Sequence, residues 1–185
     1  MPSGGRFAGC PPMASDVLVG RAAAVRDARE ADLPRIAEIW NPEILRTDAT
    51  TDTEPRDPAA MREWLARHPA AYPIVVAVAG GAVRAFGSLS PWRPKPAFAR
   101  TVEDSVYVER GHRNAGLGRL VLAELIARAR AHGHHSILAR VTSRNTASIR
   151  LHQTLGFRVV GVEREVAWKL GAWLDVTVLQ LPLGG

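Results

Sequence analysis

Val106-Tyr107-Val108-Glu109-Arg110-Gly111-His112-Arg113-Asn114-Ala115-Gly116-Leu117-Gly118-Arg119 runs from a β-branched stretch, through a glycine-containing turn, into a segment with helical spacing. From Gly116 to Ala131 the apolar residues Leu117, Leu120, Val121, Leu125 and Ala129 share one face, and Gly133 ends the segment. A strand that turns directly into a helix presents the turn's N–H groups and the helix N-terminus together, which makes an anion site. Glycine lets the backbone approach phosphate closely, and Arg113 and Arg119 add positive charge. The segment is not a P-loop, because no Gly-Lys-Ser/Thr follows. It is a poor dinucleotide fingerprint, because Val121 stands where a third small residue belongs. Taken alone, the Gly pair is read equally well as a tight strand-to-helix turn without a ligand.

The flanking sequence sets the architecture. Upstream, Ala24–Ala28 reads as a first strand. Asp32-Leu33-Pro34 reads as a capped helix start. That helix is expected to run to about Asn41, before Pro42, with a loop over 46–55. Asp57-Pro58 opens a second helix, ending near His68-Pro69. Pro73–Val78 and Val83–Ser90 are strand-like around a Gly80-Gly81 hairpin signal, 91–96 is a Pro-rich loop, and Thr101–Val108 is the next strand. Downstream come a strand over Ser136–Val141, a helix over Asn145–Leu155 closed by Gly156, and strands over Val159–Val166 and Leu174–Leu181. Paired strands followed by strand–helix–strand–helix–strand predict an α/β chain, with one central sheet covered by helices on both faces.

The 185 residues suit one domain. Residues 1–20, Gly-, Pro- and Ser-rich, are expected to be a disordered tail, with Met13 an alternative start, and 21–185 a single domain. Without an apolar h-region or a membrane-length run, neither a signal peptide nor a membrane partner is expected. The only cysteine, Cys10, lies in the tail, so a reducing cytoplasm is the expected location. The net charge of +6 is carried mostly by arginine, either spread over the surface or drawn to an anionic ligand. No dense Lys/Arg run interleaves with aromatics, so no nucleic-acid partner is expected. His132, His134 and His135 lack a carboxylate or cysteine cluster, so they are read as solvated and no metal is expected.

Arg113-Asn114-Ala115-Gly116-Leu117-Gly118 resembles the (Gln/Arg)-x-x-Gly-x-(Gly/Ala) pyrophosphate signature of the GNAT superfamily of N-acetyltransferases. Asn145-Thr146-Ala147-Ser148, closing on Gly156-Phe157, resembles the superfamily's second coenzyme block. Over about 24–183 the chain is similar to the phosphinothricin and methionine sulfoximine N-acetyltransferase branch. The similarity is strongest across Pro91–Val108 and in Lys169–Val176 followed by Gln180-Leu181. The resemblance implies a GNAT fold: a mixed, mostly antiparallel sheet flanked by helices, with strands splayed at the acetyl-CoA site. It also implies acetyl-CoA as co-substrate, no metal, and a homodimer. The coenzyme contacts it implies are Val106, Tyr107 and Val108 through their main chain, Arg113, Asn114, Ala115, Gly116, Leu117, Gly118 and Arg119 in the loop, and Asn145.

An amine attacks a thioester only when neutral, and amines are largely protonated at neutral pH, so a base is required. By position Glu103 resembles the branch's general base; otherwise it is a surface strand glutamate in an ion pair. His152 lies seven residues after Asn145, about two helical turns on, so both can face one side. It is expected to protonate the leaving thiolate or to orient a neighbour; the alternative is an ordinary helix histidine. Arg93, Lys95, Phe98 and Ser105 are the implied acceptor contacts, the two cations pairing with an α-carboxylate or phosphinate, or else being ordinary exposed cations. Two departures from the branch bear on the acceptor. Phe98 lacks the hydroxyl common at its position, and Thr47–Asp52 lacks a Phe and carries Asp48 and Asp52. The acceptor is expected to be a small amino-acid-like amine of methionine sulfoximine, methionine sulfone or phosphinothricin type. The rivals are another amine, such as a polyamine or a protein N-terminus, and a non-catalytic acyl-CoA-binding module.

Overall fold

The computed structural model describes residues 23–184; the tail expected over 1–20, with Cys10 and Met13, lies outside the described residues. The elements in chain order are β1 (Ala24–Asp27), α1 (Leu33–Arg46), α2 (Pro58–Ala66), β2 (Ile74–Ala79), β3 (Ala82–Pro91), β4 (Thr101–Val108), α3 (Leu117–Ala131), β5 (Ser136–Thr142), α4 (Thr146–Thr154), β6 (Arg158–Lys169) and β7 (Ala172–Pro182). The strands form one sheet in the order β1-β2-β3-β4-β5-β7-β6. Every neighbouring pair is antiparallel except β4–β5. That parallel step follows from α3, whose crossover is the way a chain joins two parallel strands.

Alternation along the strands divides the core in two. On one face α1 and α2 cover Ile74, Val76, Val83 and Phe86, with Ile36, Trp40, Ile44 and Trp64 packed against them. On the other, α3 lays Leu117, Val121, Leu125 and Ala129 over Val75, Ala85, Val102 and Ile137. Leu120, expected on this stripe, is 38% exposed; it lies at the stripe's edge, and Leu122 and Ile126 are buried instead. Gly87 sets the closeness of this packing. A Cβ there would stand 2.7 Å from the Ser105 carbonyl oxygen and from Val121 Cγ1. Gly87→Ala is therefore expected to cost about 1–3 kcal/mol and to lower Tm by roughly 2–10 °C for a chain of this size. An unchanged thermal melt would contradict so close an approach.

α1 extends past its expected end. It continues through Pro42 to Arg46. Proline removes one backbone hydrogen bond and costs a helix about 3 kcal/mol, but the turn beyond it buries Glu43 and Ile44. Asn41 also bonds the Arg56 main chain at both N–H (2.9 Å) and C=O (3.0 Å), which fixes the helix against the following loop. His134, expected to be solvated, is buried, with Nε2 2.7 Å from the Ala71 carbonyl oxygen and its ring against Tyr72.

Candidate active site

β4 and β5 pair only over Thr101–Glu103 and Ser136–Leu138, and then part. On its other edge β4 stays paired with β3 as far as Val108, and β5 stays paired with β7 as far as Thr142. A wedge thus opens between Asp104–Val108 and Ala139–Thr142. The direction of the β4 main chain follows from its ends. Thr101 C=O accepts from Trp92 N–H (3.3 Å), and Glu109 N–H donates to Arg84 C=O (2.8 Å), so the odd-numbered residues bond to β3. By strand alternation the main-chain groups of Asp104, Val106 and Val108 face the wedge. Asp104 N–H still belongs to the β5 ladder and Val108 C=O accepts Arg113 Nε at 3.4 Å, while Asp104 C=O, both main-chain groups of Val106 and Val108 N–H are left as an unpaired strand edge of the kind that captures an extended ligand.

A cavity of about 560 Å³ occupies this wedge and continues along the turn before α3 and the start of α4. Each expected coenzyme residue except Ala115 lines it. Gly116 caps α3 with φ of +79°, and Asn114 has φ of +63°. This left-handed turn, which glycine adopts without penalty, aims the first N–H groups of α3 at the cavity, and those have no intrahelical partner. Arg119 and Arg144 supply positive charge there. Asn145 caps α4 by accepting the Ser148 N–H at 3.2 Å. Unpaired amides, cations and a free strand edge along one groove fit a diphosphate joined to an extended amide-containing arm, as coenzyme A has.

Arg113 does not project freely. Buried Glu43 of α1 accepts Arg113 Nη2 at 2.8 Å and Arg110 Nε at 2.9 Å. Desolvation works against the Glu43 carboxylate, but the Arg110 and Thr47 hydrogen bonds and the two arginine charges hold it below its ordinary pKa. Lys169, which is buried, donates to the Thr50 carbonyl at 2.6 Å and so pins the loop after α1.

A second cavity, of about 620 Å³, lies on the α1/α2 side of the sheet. Ala49, Asp104, Ser105, Tyr107 and Arg140 line both cavities, so the two meet where β4 and β5 separate. Glu103, Ser105 and Tyr107 lie in the second. Burial pushes the Glu103 carboxyl up to about 7; Arg140 opposes this, and Asp104 and Glu163 add to it. The Tyr107 ring stacks on Phe86 at 5.1 Å, and burial raises its hydroxyl to about 12, so it stays neutral.

Asp104 points the other way, toward α4. His152 Nε2 is 2.9 Å from Asp104 Oδ2, and Nδ1 is 2.8 Å from the Ser148 carbonyl oxygen. Both partners can accept, so the site favours a ring that donates from both nitrogens. Burial works against that charged form, but Asp104 outweighs it and raises the His152 pKa. Both ring nitrogens are thus engaged by groups of the chain, and the ring lines the groove beside Asp104.

Arg93, Lys95 and Phe98 line neither cavity. The β3–β4 ladder runs on to Pro91–Val102 and carries their connection past the end of the sheet. There Arg93 and Lys95 are exposed, and the Arg93 guanidinium packs over Trp92 at 5.2 Å and Phe98 at 5.8 Å. The cations that do line the second cavity are Arg56, Arg67 and Arg140, beside Trp40, Trp64 and His68. Sequence reading missed these. It also missed Asp104, although strand alternation alone sets Asp104 on the face opposite Glu103. Among the described residues no group of three or more His, Cys, Asp or Glu side chains is arranged to hold a metal, and no helix is long and apolar enough to cross a membrane.

Residues 33–157 match the model of the acetyltransferase (GNAT) family. The L-methionine sulfoximine/L-methionine sulfone acetyltransferase of Pseudomonas paraeruginosa is 45% identical over 87% of this chain and 95% of the relative. The phosphinothricin N-acetyltransferase of Streptomyces coelicolor is 39% identical over 86% and 95%. A phosphinothricin acetyltransferase of the GNAT superfamily from Sinorhizobium meliloti, solved with acetyl-CoA, superposes with a TM-score of 0.83 at 36% identity, covering 88% of this chain and 89% of that one. The chain belongs to the acetyltransferase (GNAT) family. It is an N-acetyltransferase that uses acetyl-CoA as co-substrate.

Proposed function

We propose that the chain transfers acetyl to the α-amine of a small amino-acid-like acceptor of methionine sulfoximine, methionine sulfone or phosphinothricin type, with Glu103 as general base. The observation that carries this is the Glu103 carboxyl, held at about 7 in a cavity that opens onto the coenzyme groove. A base with that pKa is half ionised near neutral pH, which suits proton abstraction from an ammonium. Acetyl-CoA takes the groove, its diphosphate at the α3 turn and at Arg119, and its arm along Asp104–Val108. Glu103 takes a proton from the acceptor, directly or through one water. The neutral amine attacks the thioester carbon, and Val106 N–H, facing the wedge, stabilises the developing oxyanion. The carbon–sulfur bond then breaks, and the second proton of the attacking nitrogen, lost as the amide forms, passes to the departing thiolate, which leaves as free coenzyme A.

The names of the relatives supply the acceptor class. A polyamine fits poorly, because three arginines line the acceptor cavity. Release of thiol from acetyl-CoA with a panel of methionine sulfoximine, methionine sulfone, phosphinothricin, a polyamine and ordinary amino acids tests the assignment. Turnover confined to the first three is expected, and turnover with the polyamine alone would overturn it. We place the enzyme in the cytoplasm, as a homodimer. Support for the dimer is edge strand β6, which with its hairpin exposes Val160, Val166, Trp168, Leu170 and Trp173. Sedimentation at the monomer mass would contradict it.

A further inference from the structure

We infer that Arg56 is the residue that selects acceptors bearing a carboxylate, an inference that rests on the amino-acid reading above. Three guanidinium groups line the acceptor cavity, and two are committed elsewhere. Arg140 donates Nε and Nη2 to Glu163 Oε2 at 3.2 and 2.6 Å. Arg67 has a side chain 64% exposed and pairs with Glu63 at 3.4 Å.

Arg56 differs from both. Its side chain is 23% exposed, and the only carboxylate in ion-pair range among the described residues is Asp52, with Nη2 3.7 Å from Oδ2. That is too long for a hydrogen bond. Its Nε is buried and has no hydrogen-bond partner among the described residues. The guanidinium lies over the Trp40 ring at 4.1 Å. Its main chain is clamped on both sides by Asn41. The main chain is thus held and the guanidinium rests on Trp40, with its Nη donors making no hydrogen bond among the described residues, which suits two-point recognition of a carboxylate. An α-amino acid carries its carboxylate one carbon from the reacting amine, so the base and its anion receptor must share a cavity, and Glu103 and Arg56 do.

The test uses Arg56→Met, which keeps a stem over Trp40 and removes the charge. Initial rates are measured for methionine sulfone and for the amine that lacks only its carboxyl group. For the wild type, kcat/KM favours the amino acid. In Arg56→Met that preference falls by about 10–100-fold, through KM for the amino acid, while kcat changes little. Arg56→Lys, which keeps the charge without the fork, restores part of it. Equal loss for both acceptors would overturn the proposal and leave Arg56 as a support for Trp40. Loss of the preference in Arg93→Met but not in Arg56→Met would overturn it in favour of the β3–β4 connection. A wild type that binds acetyl-CoA by calorimetry yet acetylates neither compound would defeat the amino-acid reading itself, and the inference with it.

Discussion

Glu103→Gln is expected to lower kcat/KM for the acceptor by about 10²–10⁴-fold, the usual contribution of a positioned base, while acetyl-CoA still binds. In the wild type kcat/KM should rise with pH and level off above about 7, where the Glu103 carboxyl has ionised; in the variant that rise should vanish. The same group affects stability with a definite sign. Its folded pKa lies above the unfolded value, so the folded state holds the extra proton between about 4.5 and about 7. Stability is lost across that window as pH rises, and the loss stays constant above it. Glu103→Gln should therefore be more stable than the wild type at pH about 8, by at most about 3 kcal/mol, and gain nothing near pH 4. Denaturant melts at the two pH values read this directly. A variant with wild-type turnover would remove Glu103 as the base. One that is inactive and also less stable at pH 8 would show a structural role instead.

Asp104→Asn is expected to have the largest effect on stability. The Asp104 and His152 side chains are 1% and 3% exposed, and removing one partner of such a pair costs about 3–5 kcal/mol, because a buried charge loses its compensation. The pH dependence fixes the cause. His152 has a raised folded pKa, so the stability from the pair is fully present below the ordinary histidine value of about 6.5. It is lost as pH rises through the folded value. The gap between wild type and Asp104→Asn should be widest near pH 6 and narrow on the alkaline side. A gap that does not change with pH would mean a neutral hydrogen bond, with the proton elsewhere.

The groove along the α3 turn was legible in the sequence because it is built from consecutive residues. A strand, a left-handed turn at Asn114 and Gly116, and a helix start are consecutive in sequence, so spacing alone brought the amides together. The Asn145 cap, ten residues ahead of Leu155, was local in the same way. The acceptor half depends on long-range packing. Arg93 and Lys95 precede Glu103 closely in sequence, but how far the β3–β4 ladder runs decides where their connection goes, and no local signal gives that. Arg56 enters through the clamp from Asn41, which in turn depends on α1 persisting through Pro42. Local propensity argued for a stop there, and burial of Glu43 and Ile44 prevailed. His134 misled for the same reason: its partner, the Ala71 carbonyl, is sixty-three residues away.

The central claim is that acetyl passes directly from coenzyme to amine at the opening where β4 and β5 part. Varying acetyl-CoA and methionine sulfone together, and following initial rates of thiol release, tests it most directly. Direct transfer requires both substrates to be bound at once and predicts double-reciprocal lines that intersect. The single cysteine of the sequence is Cys10, so residues 23–184 carry no thiol to accept the acetyl group. Parallel lines, together with an acetylated protein on incubation with acetyl-CoA alone, would mean a covalent relay and would contradict the account.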